Sequence, residues 1–235
     1  MTQMNEFFYQ GMIVSCFEEA TKVLAEDPAN EQAKMFVQLA EKFNIAQIPA
    51  PVAAPIKQQE ERSDENYAAM DEVLAIRQIK DEAEFQARIK QLEETAKTGT
   101  NEEKAQSFFT QGQLFLYAHH YEESAYCFKQ AVTCQPTLAV YYGIAAQTMM
   151  RLDYSPFEVL GYLQYAQQLD SNNARWHRNR ALVLTQLYKD LGDQMFLENA
   201  LIALETAQQS LRPDQKSLAQ AIENTFETMK DYLFN

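Results

Sequence analysis

The side chains that most often carry chemistry are few in this chain and poorly spaced for it. Three histidines, His119, His120 and His177, have no cysteine or acid at ligand spacing on a shared helix. A metal site needs three or four convergent ligands, so no metal is expected. The three cysteines, Cys16, Cys127 and Cys134, form an odd and sparse set that reads as reduced, buried small hydrophobes. Cys127 and Cys134 lie two helical turns apart, too far to be bridged. The paired acids Glu60-Glu61, Glu93-Glu94 and Glu122-Glu123 read as solvated faces rather than acid–base pairs. Neither a glycine-rich phosphate loop nor a G-x-S-x-G elbow occurs. The expectation is a protein without catalytic residues and without a cofactor.

What remains is the chemistry of recognition. Ten residues are candidates to hold a partner: Phe109, Gln113, Leu116 and Tyr117; then Ile144, Gln147 and Met150; then Arg175, Arg178 and Asn179. Amides and guanidinium groups can bond an extended peptide backbone or a carboxylate, and Phe109, Tyr117 and Met150 can supply pockets for anchoring side chains. These positions meet only if three helices lie side by side, and the surrounding spacing predicts such helices.

The stretch 108–136 sets the pattern. Phe108, Gly112 and Phe115 fall on a first helix, Ser124, Phe128 and Ala131 on a second, and Pro136 closes the unit. This order of large, small and aromatic residues resembles one tetratricopeptide repeat. Gly112 would let the helices cross closely, Phe115 and Phe128 would fill the seam, and the second helix would start at Tyr121 after a turn at His119-His120. A shift of 34 residues, the length of that repeat, brings Tyr142, Ala146 and Met149 into the first-helix positions. Val159, Leu163 and Ala166 follow on the second helix. A third unit carries Ala181 and Leu184, then Ala200, Leu204 and Ala207, and closes at Pro213, with an insertion around 188–195. A last helix from Asp214 to about Phe234, with Leu218, Ile222, Phe226 and Met229 on one face, would cover the end of the stack. The predicted fold is all-α: a tetratricopeptide-type superhelix of helical hairpins over 101–235 with a C-terminal capping helix. In such a stack the first helices line the inner groove, and the ten candidates are among the inward positions of those helices.

Ahead of the repeats, residues 1–45 read as a helical hairpin broken at Asp27-Pro28, with Asn30 capping its second helix. Residues 46–62 hold three prolines and read as an extended linker. Residues 63–99 read as a helical connecting segment. Its second helix starts near Asp81, buries Phe85, Ile89, Leu92 and Ala96, and stops at Gly99. Thr100 and Glu103 form a capping box for the first repeat. The N-terminal segment could also cover the groove.

Composition narrows the partners. Thirty-three acids against 20 bases give a net charge of −13, which disfavours nucleic acid and anionic membranes. The apolar content of 46% is enough for a core. No apolar run approaches a membrane span, and MTQMNEFFYQ lacks the basic region of a secretory leader. A cytoplasmic protein is expected.

Two family comparisons bear on the partner. Co-chaperone tetratricopeptide domains grip a C-terminal carboxylate with lysine and asparagine, but the matching first-unit positions are Phe109 and Gln113, so that activity is not expected. Three repeats with a closing helix, an acidic balance, Tyr141-Tyr142-Gly143 opening the second unit and Asp153-Tyr154 in its turn resemble the class II chaperones of type III secretion. That resemblance implies a groove that takes an extended segment of a hydrophobic translocator, and a homodimer formed through an N-terminal helix. The long N-terminal region and the insertion in the third repeat depart from that family. They leave open a structural adaptor that joins folded proteins in a larger complex.

Overall fold

The structure is a computed structural model that describes residues 2–52 and 81–233. Among these residues the regular structure is entirely helical. In chain order the helices are α1 (Gln3–Tyr9), α2 (Ile13–Glu26), α3 (Glu31–Lys42), a 3-10 turn at Ile45–Gln47, α4 (Glu82–Thr98), α5 (Asn101–Tyr117) and α6 (Tyr121–Cys134). They continue with α7 (Ala139–Met149), α8 (Pro156–Leu169), α9 (Ala174–Leu191), α10 (Gln194–Gln209) and α11 (Lys216–Leu233).

The chain divides into two compact units. One joins Met1–Ile48 to Tyr154–Asn235, and the other is Pro49–Asp153. This cut differs from the expected segments at 1–45, 46–62, 63–99 and 101–235. It groups the N-terminal helices with the last four helices, and it passes between α7 and α8, the two helices expected to form the second repeat.

In the unit 49–153, α4, α5, α6 and α7 pack each on the next. Local sequence fixes their ends. The Asp81 side chain caps α4 by accepting from Ala83 N–H. Thr100 and Glu103 form a reciprocal capping box at the start of α5, as the sequence predicts. Gly99 stops α4, but its φ of −71° is one that any residue adopts. What it supplies is space: a Cβ there would sit 2.8 Å from the Thr95 carbonyl oxygen and 2.9 Å from the Glu103 Cβ. The α5–α6 seam is tighter still. A Cβ on Gly112 would meet the Phe128 ring at 2.7 Å, and the Ser124 hydroxyl donates to the Gly112 carbonyl at 2.8 Å. Phe128, Ala131, Tyr142, Ala146 and Met149 are all fully buried.

In the other unit, α8 packs on α9, α9 on α10, and α11 against both α9 and α10. Ala181, Leu184, Ala200, Leu204 and Ala207 are fully buried. The insertion around 188–195 is not a loop. It lengthens α9 to Leu191, and Gly192 then ends the helix at a φ of +73°, a left-handed conformation that glycine adopts without strain. The Asp193 side chain caps α10 through Met195 N–H.

The N-terminal region holds three helices rather than a hairpin, because the chain turns sharply at Gly11 (φ +73°) between α1 and α2. A side chain there would press on Leu160 and Leu184 at 3.0 and 3.1 Å. Phe8 lies against Phe36, Phe157 and Phe196 with ring centroids 5.2–5.6 Å apart. The expected tether also differs in its described part. Ala46 and Gln47 belong to the 3-10 turn, and Ile45 and Ile48 are buried. The Pro49 carbonyl accepts from Tyr142 Oη at 2.7 Å, and Val52 N–H donates to the Pro136 carbonyl at 2.9 Å. Buried isoleucines and answered backbone groups thus override the tendency of the prolines toward a free chain. Residues 53–62 of the linker, and the helical segment expected around Val73 and Ile76, lie outside the described residues.

Candidate functional site

The ten candidate residues fall seven in the unit 49–153 and three in the other. In the first, α5 and α7 come side by side where Phe109 meets Tyr141, with centroids 4.9 Å apart, and where Tyr141 Oη donates to Gln106 Oε1 at 3.3 Å. Phe109 is therefore a correction. It is 2% exposed, wedged between Phe128 and Tyr141, and serves as core rather than as a surface for a partner. Repeat phase put it inward, but a ring that size beside Gly112 is needed to fill the seam.

The other six stay at least partly open. Gln113, Leu116, Ile144, Gln147 and Met150 are half-buried, and Tyr117 is 49% exposed. Gln147 Oε1 is buried with no hydrogen-bond partner. The last turn of α5 and the α7 helix with its C-cap thus present apolar side chains beside amides. Such a surface can hold an extended chain through side-chain pockets and backbone hydrogen bonds.

On α9 the three candidates separate. Arg175 is exposed. Arg178 is half-buried and spends its Nε–H on the Ala221 carbonyl (3.2 Å) and Thr225 Oγ1 (3.3 Å), tying α9 to α11. Asn179, expected at a groove surface, is a second correction at 3% exposure. Its side chain turns into the packing around α9, where its Nδ2 finds no acceptor.

Two further α9 residues, Trp176 and Arg180, hold donors that are buried and unanswered. Trp176 is 3% exposed with no acceptor for Nε1. Arg180 is half-buried. One of its η nitrogens donates to Gln167 Oε1 at 3.2 Å, while its Nε–H is unanswered. Gln167 Nε2 lies 3.1 Å from His177 Nδ1, and His177 Nε2 lies 2.7 Å from the Ser171 carbonyl. An amide N–H facing Nδ1 and a carbonyl facing Nε2 select the neutral, Nε2-protonated imidazole. Burial holds the His177 pKa below its ordinary value, with the Arg180 charge adding to the effect. The signal available in the sequence was the acid-free run from Ser171 to Lys189 in an acidic chain.

The sequence reading passed over Gln164. It is 3% exposed on α8 and performs a capping function that Met12 cannot. Its Oε1 accepts from Val14 N–H (2.8 Å) and Ser15 N–H (3.4 Å), and its Nε2 donates to Ser15 Oγ at 2.6 Å. The first turn of α2 is thereby satisfied from a helix 150 residues away. No local pattern announces such a cap.

The thiols are sequestered. Burial pushes Cys16 and Cys127 up to about 12 and raises Cys134, which keeps them protonated and poorly nucleophilic. Among the described residues no three His, Cys, Asp or Glu side chains gather closely enough to hold a metal ion. No described helix is long and apolar enough to cross a membrane.

No protein-family model matches this chain, and no curated protein matches it.

Proposed function

We propose that this chain is a non-enzymatic binding protein built of tetratricopeptide-type hairpins, and that the face shared by α5 and α7 takes an extended segment of a protein partner. The observation that carries the reading is a division of labour within those two helices. The residues at the repeat's packing positions, Gly112, Tyr142, Ala146 and Met149, are consumed by the core. Leu116, Tyr117, Ile144 and Met150, which packing does not consume, remain open next to Gln113 and Gln147. The Gly112–Phe128 seam supports the repeat reading, because close crossing through a small residue is what that spacing demands. The buried Ile222 and Met229, with Arg178 bonded to α11, support a capping role for the last helix.

The sharper form of the proposal is a cytoplasmic chaperone resembling the class II chaperones of type III secretion, with a hydrophobic translocator as client. The homodimer implied by that resemblance would need α1 to leave its present place, since Met4 and Phe8 are packed within their own unit. The adaptor reading is favoured by a different observation. Tyr126 on α6 and Ile202 on α10 are large apolar residues at 59% and 56% exposure, on second helices rather than first.

Affinity capture from the source cells separates the two readings. Tyr117→Ala with Met150→Ala should lose the partner while Tyr126→Ala with Ile202→Ala keeps it. The opposite pattern would make the chain an adaptor.

A further inference from the structure

The first turns of α9 break several electrostatic rules together. Arg175, Arg178 and Arg180 crowd the N-terminal part of the helix, where its dipole is positive and acids are favoured. The first turn holds no acid, and none occurs from Ser171 to Lys189. Among the described residues no carboxylate pairs with any of the three guanidinium groups. Burial lowers the pKa of Arg178 and Arg180, and for Arg178 the Arg175 charge adds to the lowering. A desolvated cation without a counter-charge is costly, and a chain of net charge −13 has acids to spare for pairing.

The unsatisfied polar atoms on this helix share one sense. Trp176 Nε1, Asn179 Nδ2 and Arg180 Nε are all donors, all buried and all without an acceptor. Residues at i, i+3 and i+4 lie on one helix face. Trp176 and Asn179 are each 3% exposed, so bulk water does not serve them. Donors and positive charge concentrate on one helix, with Asp170 bonded to the Asn173 cap at its start, and this chemistry suits a ligand rich in carboxylate oxygens.

We infer that the N-terminal half of α9 is a binding site for an acidic segment of a partner protein, with Arg175 as the exposed point of first contact and the half-buried Arg180 as the charge that the segment pairs, beside the buried donors of Asn179 and Trp176. A protein segment suits the site better than a phosphate backbone does. The surrounding acidity of the chain repels a polyanion of uniform charge density, whereas a short acidic run can pair locally. The inference deepens the peptide-binding proposal by naming the chemistry of one part of the partner, and it rests on that reading only for the source of the segment.

The probe is a hexaglutamate peptide, acetylated and amidated so that no terminal carboxylate contributes, added to the full-length chain. Trp176, the single tryptophan, reports binding by its fluorescence. Saturable binding that weakens as salt rises is expected, with hexaglutamine inert. Arg180→Met should weaken binding by about tenfold or more, since a charge-assisted bond is lost. The same variant should leave the thermal midpoint of the free protein unchanged or higher, because an unneutralised, partly desolvated charge has been removed. Arg175→Gln, at an exposed position, should weaken binding by a smaller factor.

Absence of binding to hexaglutamate would overturn the inference. So would equal affinity in wild type and Arg175→Gln together with a lowered midpoint in Arg180→Met, which would make Arg180 a structural residue. Equal competition by inorganic phosphate or a DNA oligonucleotide would make this a general anion site and would also overturn it. Partner capture that depends on Tyr117 but not on Arg175 would sink this inference alone. Hexaglutamate binding without any Tyr117-dependent partner would sink the broader proposal and leave this one standing.

Discussion

The starts of α5 and α9 are built by opposite rules. At α5, Thr100 and Glu103 answer each other's backbone N–H groups, and Glu102 and Glu103 meet the positive helix end. The Glu103 carboxyl is held below its ordinary value by the hydrogen bonds to Thr100. At α9, Asn173 supplies a cap through Arg175 N–H, but the charges that follow are of the wrong sign and three buried donors go unanswered. The local features at the start of α5 all favour the same helix, whereas α9 is held by tertiary burial of Ala174, Ala181, Leu184 and Leu187 against its own local electrostatics. Agreement across levels marks a helix start whose task is to fold. A conflict that the fold tolerates marks one retained for another task.

The largest expected effect lies in the well-satisfied region. Phe128→Ala should destabilise the protein by ~3–5 kcal/mol, as for a fully buried ring whose cavity cannot collapse. Gly112→Ala at the same seam should cost ~1–3 kcal/mol, because the new methyl meets a rigid ring rather than a flexible side chain. Urea unfolding of both variants checks the order, and a neutral Gly112→Ala would show that the seam has slack. A smaller loss, about 1–3 kcal/mol, is expected for Gln164→Ala, which strips the first turn of α2 of its acceptor. Hydrogen exchange at Val14 and Ser15 should then quicken more than at α5; uniform quickening would contradict a local cap.

Titration sharpens the comparison further. The His177 pKa is lowered in the fold from 6.5, so the folded state binds fewer protons than the unfolded state between the two values. The stability it contributes is complete above about 6.5 and declines as pH falls toward the folded value. The charged groups around it are Arg180, which opposes protonation, and Asp170, which favours it. His177→Gln should flatten the acid side of the stability profile in that window, as read from thermal midpoints against pH. An unchanged profile would place the sensitivity elsewhere. Glu103 acts at lower pH and in the same sense. Its folded pKa is depressed, so its contribution is present above the ordinary carboxylate range and is lost as pH falls through the folded value.

The parts of this molecule that were legible in sequence are those whose causes are local. The α5–α6 pair, its turn at His119-His120, the caps at Asn30 and Thr100 and the start of α4 near Asp81 all appear where the spacing predicts them. The break at Gly11 was missed because α1 and α2 share a continuous apolar pattern, and the side chains that leave no room for a Cβ there, Leu160 and Leu184, come from far along the chain. Phe109 and Asn179 were misplaced because repeat phase gives a direction but not a depth. Gln164 and the unanswered Nε–H of Arg180 were not foreseen for a related reason. Their roles depend on which distant groups burial brings to them, and a glutamine or an arginine on a helix carries no mark of that.

The central question is where a partner touches the chain. Hydrogen–deuterium exchange of the isolated protein against its captured complex reads this in one experiment. The account predicts added protection at Leu116–Tyr117 and across Ile144–Met150, with the peptides around Tyr126 and Ile202 unchanged. Protection confined to Tyr126 and Ile202, with the α5 and α7 peptides exchanging as in the free protein, would contradict it.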